Sequence, residues 1–119
     1  MVFQVAVSTR EQGVFVVAVK GALDAATYTI FEKELEPFLI ATTKAIILDL
    51  HGVNYISSLG IGAVFKVTNT IRGFKGTVLM TNLQPQIQKV FDIVKTLPGP
   101  IFASIEEADA YLDEIQRKQ

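Results

Sequence analysis

The sequence predicts an α/β domain with a mostly parallel central sheet of about five strands and about four helices. Three observations lead there. Short runs rich in valine and isoleucine alternate along the chain with segments whose apolar residues recur at helical spacing. Their order is β-β-α-β-α-β-α-β-α, which after an initial hairpin calls for right-handed crossovers. Half of the 119 residues are apolar, enough to fill one core, so residues 1–119 are expected to form a single domain.

Each element has its own signal. Phe3, Val5 and Val7 alternate as in a half-buried strand, Glu11-Gln12-Gly13 reads as a turn, and Val14 to Lys20 as a buried strand closed by Gly21. Asp24 is an N-cap candidate for a helix carrying Tyr28, Phe31, Leu35 and Phe38, which Pro37 should kink or end near Glu36. Ala45 to Leu50 is apolar enough for a central strand, and His51-Gly52 reads as a turn. A helix opened by Ser57 or Ser58 follows, with Ile61, Val64, Phe65, Val67 and Ile71 on its apolar face and Gly73 and Gly76 at its end. Thr77 to Met80 is a fourth strand. Pro85 suits a first helical turn, with Ile87, Val90, Phe91, Val94 and Leu97 behind it. Beyond Pro98-Gly99-Pro100, Ile101 to Ala103 is a short strand. Ser104 and Glu107 then form a capping box for a last helix buried through Ile105, Ala108, Leu112 and Ile115.

Composition excludes several functions. Eleven basic against twelve acidic residues give a net charge of -1, without the excess of positive charge a nucleic-acid binder needs. The absence of cysteine removes disulfides, thiol nucleophiles and cysteine zinc sites and suits a reducing cytoplasm. One histidine, His51, cannot build a multi-histidine metal cage and stands apart from any serine–carboxylate arrangement, so it reads as a solvated loop residue. The N-terminus lacks the pattern of a signal peptide, and Val14 to Val19, the longest apolar run, is far short of a membrane span. The expectation is a soluble cytoplasmic binding protein, not an enzyme, with no metal, no cofactor and no direct membrane insertion.

One segment carries the functional signal: Asn54-Tyr55-Ile56-Ser57-Ser58-Leu59-Gly60-Ile61-Gly62, which joins a central strand to a helix. Helix-start amides and the helix dipole favour an anion there, and two glycines keep the helix start narrow for a partner's backbone or a phosphate. A dinucleotide loop is excluded, because Phe65 stands where the third glycine belongs and the loop begins too far past Leu50. Two readings of the hydroxyls stay open: Ser57 simply caps the helix, or Ser58 accepts a phosphate that adds about -1.5 to -2 charge. The acidic residues Glu106, Glu107, Asp109, Asp113 and Glu114 read as the solvated face of the last helix.

The stretch LDLHGVNYISSLGIGAVF is similar to the signature of bacterial anti-sigma factor antagonists, members of the STAS (sulfate transporter and anti-sigma antagonist) domain family. That signature is a hydrophobic strand followed by roughly D-S-[ST]-G-[LI]-G opening a helix. Gly21-Ala22-Leu23-Asp24 resembles the family's G-x-[LI]-D, and Val90-Phe91-Asp92-Ile93 its third-helix region. The resemblance implies a STAS-like fold and places the phosphorylated serine at Ser58, with Ser57 as second choice. It implies partner contacts at Asp24, Ser57, Ser58, Leu59, Gly60 and Gly62, although for Asp24 a purely capping role stays open. The implied partners are an anti-sigma factor serine kinase, which would use ATP, and a metal-dependent serine phosphatase. Ser57 stands where the family commonly has aspartate, and Leu59 where it has a small polar residue. Those departures motivate the alternative: a STAS scaffold subunit of a transporter or signalling assembly that is not phosphorylated.

Overall fold

The computed structural model describes residues 2–96 and, beyond them, residues 110, 113, 114, 116 and 117. The elements are β1 (Gln4–Glu11), β2 (Val14–Leu23), α1 (Tyr28–Leu35) with a 3-10 turn (Glu36–Phe38), β3 (Ala45–Ile56), α2 (Ser58–Gly73), β4 (Thr77–Thr81) and α3 (Pro85–Thr96). The strands form one sheet in the order β1-β2-β3-β4. β1 pairs antiparallel with β2, while β2 with β3 and β3 with β4 are parallel. The sheet is therefore mixed, with four strands and three α-helices among the described residues. The expected fifth strand at Ile101 to Ala103, Leu97, and the capping box at Ser104 and Glu107 lie outside those residues. Of the expected last helix, the five described positions have helical backbone.

Alternation along the strands decides where the core sits. Val17 and Val19 of β2 and Ile46, Leu48 and Leu50 of β3 are buried at every second position, while Ala18 and Lys20, which alternate with the valines, are exposed. On the buried face they meet Phe31 and Leu35 of α1, Val64, Val67 and Ile71 of α2, and Ile87, Val90 and Phe91 of α3. The opposite face is open, and Leu79 of β4 is 51% exposed there. The β1–β2 turn is locked to the start of β3: Gly13, at φ +79, accepts from the Lys44 and Ala45 amides at 2.7 and 3.1 Å.

Four expectations are corrected. β2 does not close at Gly21 but continues to Leu23. Gly21 has φ +103, and a Cβ on it would sit 3.1 Å from Phe3 Cα. His51-Gly52 is not a turn but the middle of β3, so His51 is an exposed strand residue. Register shifts between Ala18 and Lys20 and between Gly21 and Ala22 keep the two strands paired as far as Leu23↔Ile56. Gly52 permits this, since a Cβ would meet Lys20 Cα and the Val19 carbonyl oxygen at 3.0 Å each. Asp24 does not cap α1, whose N-cap is Thr27. Phe65 is 39% exposed, its ring in a T-shaped contact with Phe91 at a centroid distance of 6.4 Å, and so lies off the buried stripe of α2. The end of the first helix is as expected, with Pro37 inside the 3-10 turn that follows Leu35.

Candidate functional site

The carboxyl ends of β2 and β3 and the start of α2 meet at one point. Ser57 is extended (φ -98, ψ 176) and only 4% exposed. Three hydrogen bonds hold it: its N–H donates to the Leu23 carbonyl at 3.0 Å, its carbonyl accepts from the Ile61 N–H at 2.9 Å, and its Oγ accepts from the Gly60 N–H at 3.3 Å. Ser57 is thus the N-cap of α2, and its hydroxyl is committed to the fold. Ser58 is the first residue of the helix and is half-buried, with its hydroxyl oxygen shielded from solvent.

The two glycines differ. Gly60 is buried, and a Cβ on it would lie 2.3 Å from the Leu23 carbonyl oxygen, so its bareness is what lets α2 start against the end of β2. Gly62 is exposed, and a Cβ there would have no atom within 4 Å. Close approach from outside is therefore available at Gly62 and not at Gly60. This corrects the expectation that both glycines open the helix start to a partner. Leu59, between Ser58 and Gly60, is half-buried.

Asp24 follows Leu23 directly and so lies beside Ser57. Its Oδ1 accepts from the Ala26 N–H at 2.9 Å, closing an Asx-turn one turn ahead of α1. The Thr27 hydroxyl accepts from the Asp24 N–H at 2.9 Å and donates to the Ala22 carbonyl at 2.7 Å. Asp24 shapes the turn that carries the chain from the sheet to α1, and its half-buried side chain still borders the site. On the far side, Lys66 of α2 pairs with Glu32 of α1 at 3.6 Å, an exposed contact that ties the two helices. The first turn of α2 holds no acidic residue, so its positive dipole end is not offset by a carboxylate of its own.

Asp24, Ser57, Ser58, Leu59, Gly60 and Gly62 lie together at the end of β2 and the start of α2. The structure adds residues that the pattern missed. Tyr55 donates its hydroxyl to the Asp113 carboxylate, and Gln116 bonds the backbone of Ile56. Nothing local in Asp113 or Gln116 marks them, since both read as polar positions on a helix. Among the described residues, no three histidine, cysteine, aspartate or glutamate side chains are grouped to hold a metal ion. Nor is any helix there long and apolar enough to cross a membrane.

Comparison with known proteins yields a consistent set. The family model for the STAS domain matches residues 6–108. BtrV of Bordetella bronchiseptica, whose name assigns it as an anti-sigma factor antagonist, is 28% identical over 81 residues, covering 68% of this chain and 70% of BtrV. The solved anti-sigma factor antagonist SpoIIAA in its unphosphorylated form superposes with a TM-score of 0.62 at 23% identity, covering 94% of this chain and 98% of that one. The Bacillus cell fate determinant SpoIIAA in its phosphorylated form gives 0.65 at 19% identity, covering 99% and 100%. In a longer chain, Mglu, the same fold is matched at a TM-score of 0.59 and 12% identity, over 67% of this chain but only 20% of Mglu. These structural likenesses establish the fold.

Proposed function

The chain belongs to the STAS domain family, and on that premise we propose that it is an anti-sigma factor antagonist switched by phosphorylation of Ser58. In this reading the unmodified chain binds an anti-sigma factor serine kinase and so frees a sigma factor for transcription. The kinase uses ATP to modify Ser58, and a metal-dependent serine phosphatase reverses the modification in the cytoplasm. The observation that carries the reading is the division of labour between adjacent hydroxyls. Ser57 is buried and spent on capping, while Ser58 stands one residue later at the positive end of a 16-residue helix, one turn before the exposed Gly62. The names of BtrV and SpoIIAA support the same class.

The switch follows from local electrostatics. A phosphate of about -1.5 to -2 charge is tolerated at a helix start that carries no acidic residue, yet it places charge and bulk in the partner's path. A loss of about 2.7 kcal/mol at such an interface lowers affinity roughly a hundredfold.

The test is a pull-down from the source cell with wild-type, Ser58→Ala and Ser58→Asp baits. The expected result is an ATP-binding serine kinase on the wild type and on Ser58→Ala but not on Ser58→Asp. Equal recovery on all three overturns the switch. The shielded Ser58 oxygen favours one alternative, a STAS scaffold subunit that is never modified. That reading expects the same partners on every bait and no phosphopeptide containing Ser58.

A further inference from the structure

The far end of the chain grips the segment that leads into α2. Gln116 holds Ile56 by both backbone groups: its Oε1 accepts from the Ile56 N–H at 2.9 Å, and its Nε2 donates to the Ile56 carbonyl at 2.9 Å. On the same stretch of helical backbone, Asp113 accepts from the Tyr55 hydroxyl. Both contacts fall on the two residues immediately before the Ser57 cap. β3 has by then run past its last pair with β4, Asp49↔Thr81, so a side-chain amide supplies at Ile56 what β4 supplies further back.

We propose that Gln116 is a positioning residue of the switch: its clasp on Ile56, seconded by Asp113 on Tyr55, holds the start of α2 in the form a partner reads, and a phosphate on Ser58 releases it. The inference rests on the reading of Ser58 as phosphoacceptor and deepens it. The Ser58 oxygen is shielded from solvent, so three added phosphate oxygens require a neighbour to move. The first turn of α2 accepts the charge, having no acidic residue of its own. The segment carrying Gln116 does not, because Asp113 and Glu114 place two carboxylates on it and Arg117 is already paired with Glu114 at 3.0 Å. Gln116 holds the residue two positions before Ser58, and this clasp is the contact expected to give way while α2 stays formed.

Phosphoserine incorporated at position 58 of the full chain tests this without a kinase. Hydrogen exchange read by NMR at the Ile56 amide reports the clasp directly, because that proton is the one Gln116 accepts. In the unmodified chain the Ile56 amide is protected, and Gln116→Ala speeds its exchange about tenfold or more. Phosphorylation of Ser58 is expected to do the same, while the Leu48 and Leu50 amides in the same strand keep their protection. Gln116→Glu, which keeps the acceptor and loses the donor, is expected to fall between wild type and Gln116→Ala and guards against a folding defect in the alanine variant. Equal Ile56 exchange in phosphorylated and unmodified chains overturns the release, and equal exchange in Gln116→Ala and wild type overturns the clasp. No partner enters these measurements, so they stand or fall separately from the pull-down.

Discussion

Gly60 and Gly62 look interchangeable in the sequence and have opposite jobs in the fold. Gly60→Ala must push a methyl into the Leu23 carbonyl, and the expected loss is about 1–3 kcal/mol, measured by urea denaturation. Gly62→Ala meets nothing and removes a helix-interior glycine, so it should gain up to about 1 kcal/mol, seen as a melting temperature higher by about 4 °C. If Gly62 serves a partner's approach, the same variant binds that partner less well although it is more stable, a separation no purely structural residue gives. The adjacent serines divide similarly. Ser57→Ala removes the cap of α2 and should cost about 1 kcal/mol, more than Ser58→Ala in the same denaturation series. The cap was legible because S/T before an apolar helical run is a local rule. Which glycine faces outward was not legible, because it depends on where the end of β2 lies.

Among the elements, the same residue type misled in one place and guided in another. Gly21 and His51-Gly52 carry turn signals, yet they lie inside β2 and β3, where bare Cα positions let Phe3 approach Gly21 and the bulged β2 backbone approach Gly52. Pattern reading shortened both strands for that reason. The end of α2 was placed correctly, but its chemistry differs from the simplest expectation. Phe74 is the C-cap, Lys75 takes φ +66, and the Lys75 and Gly76 amides donate to the Arg72 and Ile71 carbonyls at 2.8 Å each, which is a Schellman motif. Glycine sits one position past the left-handed residue because a Cβ at Gly76 would crowd Ile71 Cγ2 at 2.7 Å and the Thr43 carbonyl at 2.9 Å. Lys75→Gly is therefore expected to raise stability by about 0.5–1 kcal/mol, and Gly76→Ala to lower it, both read from denaturation midpoints.

Across the molecule, a single covered face sets the energetics. Leu48 and Leu79 lie on neighbouring strands but on opposite faces. Leu48→Ala should cost about 2–5 kcal/mol through transfer and cavity terms, whereas Leu79→Thr should stay within about 0.5 kcal/mol; the difference is read from paired urea titrations. Beyond the last β3–β4 pair, side-chain amides replace the missing ladder partners. Gln84 donates to the His51 carbonyl at 2.8 Å, Gln86 to the Asn54 carbonyl at 3.3 Å, and Gln116 grips Ile56. Local pattern was enough for the α/β order of the described elements, the buried positions Ile61, Val64, Val67 and Ile71 of α2, the Pro37 break and the Ser57 cap. Each is a matter of local period or of one side chain meeting the backbone a few residues away. Three-dimensional packing alone accounts for the contact of Gly60 with Leu23, the outward opening at Gly62 and the reach of Gln116 to Ile56 across 60 positions of chain. A strand end leaves donors and acceptors that any amide can satisfy, so topology, not residue type, selects the one that does.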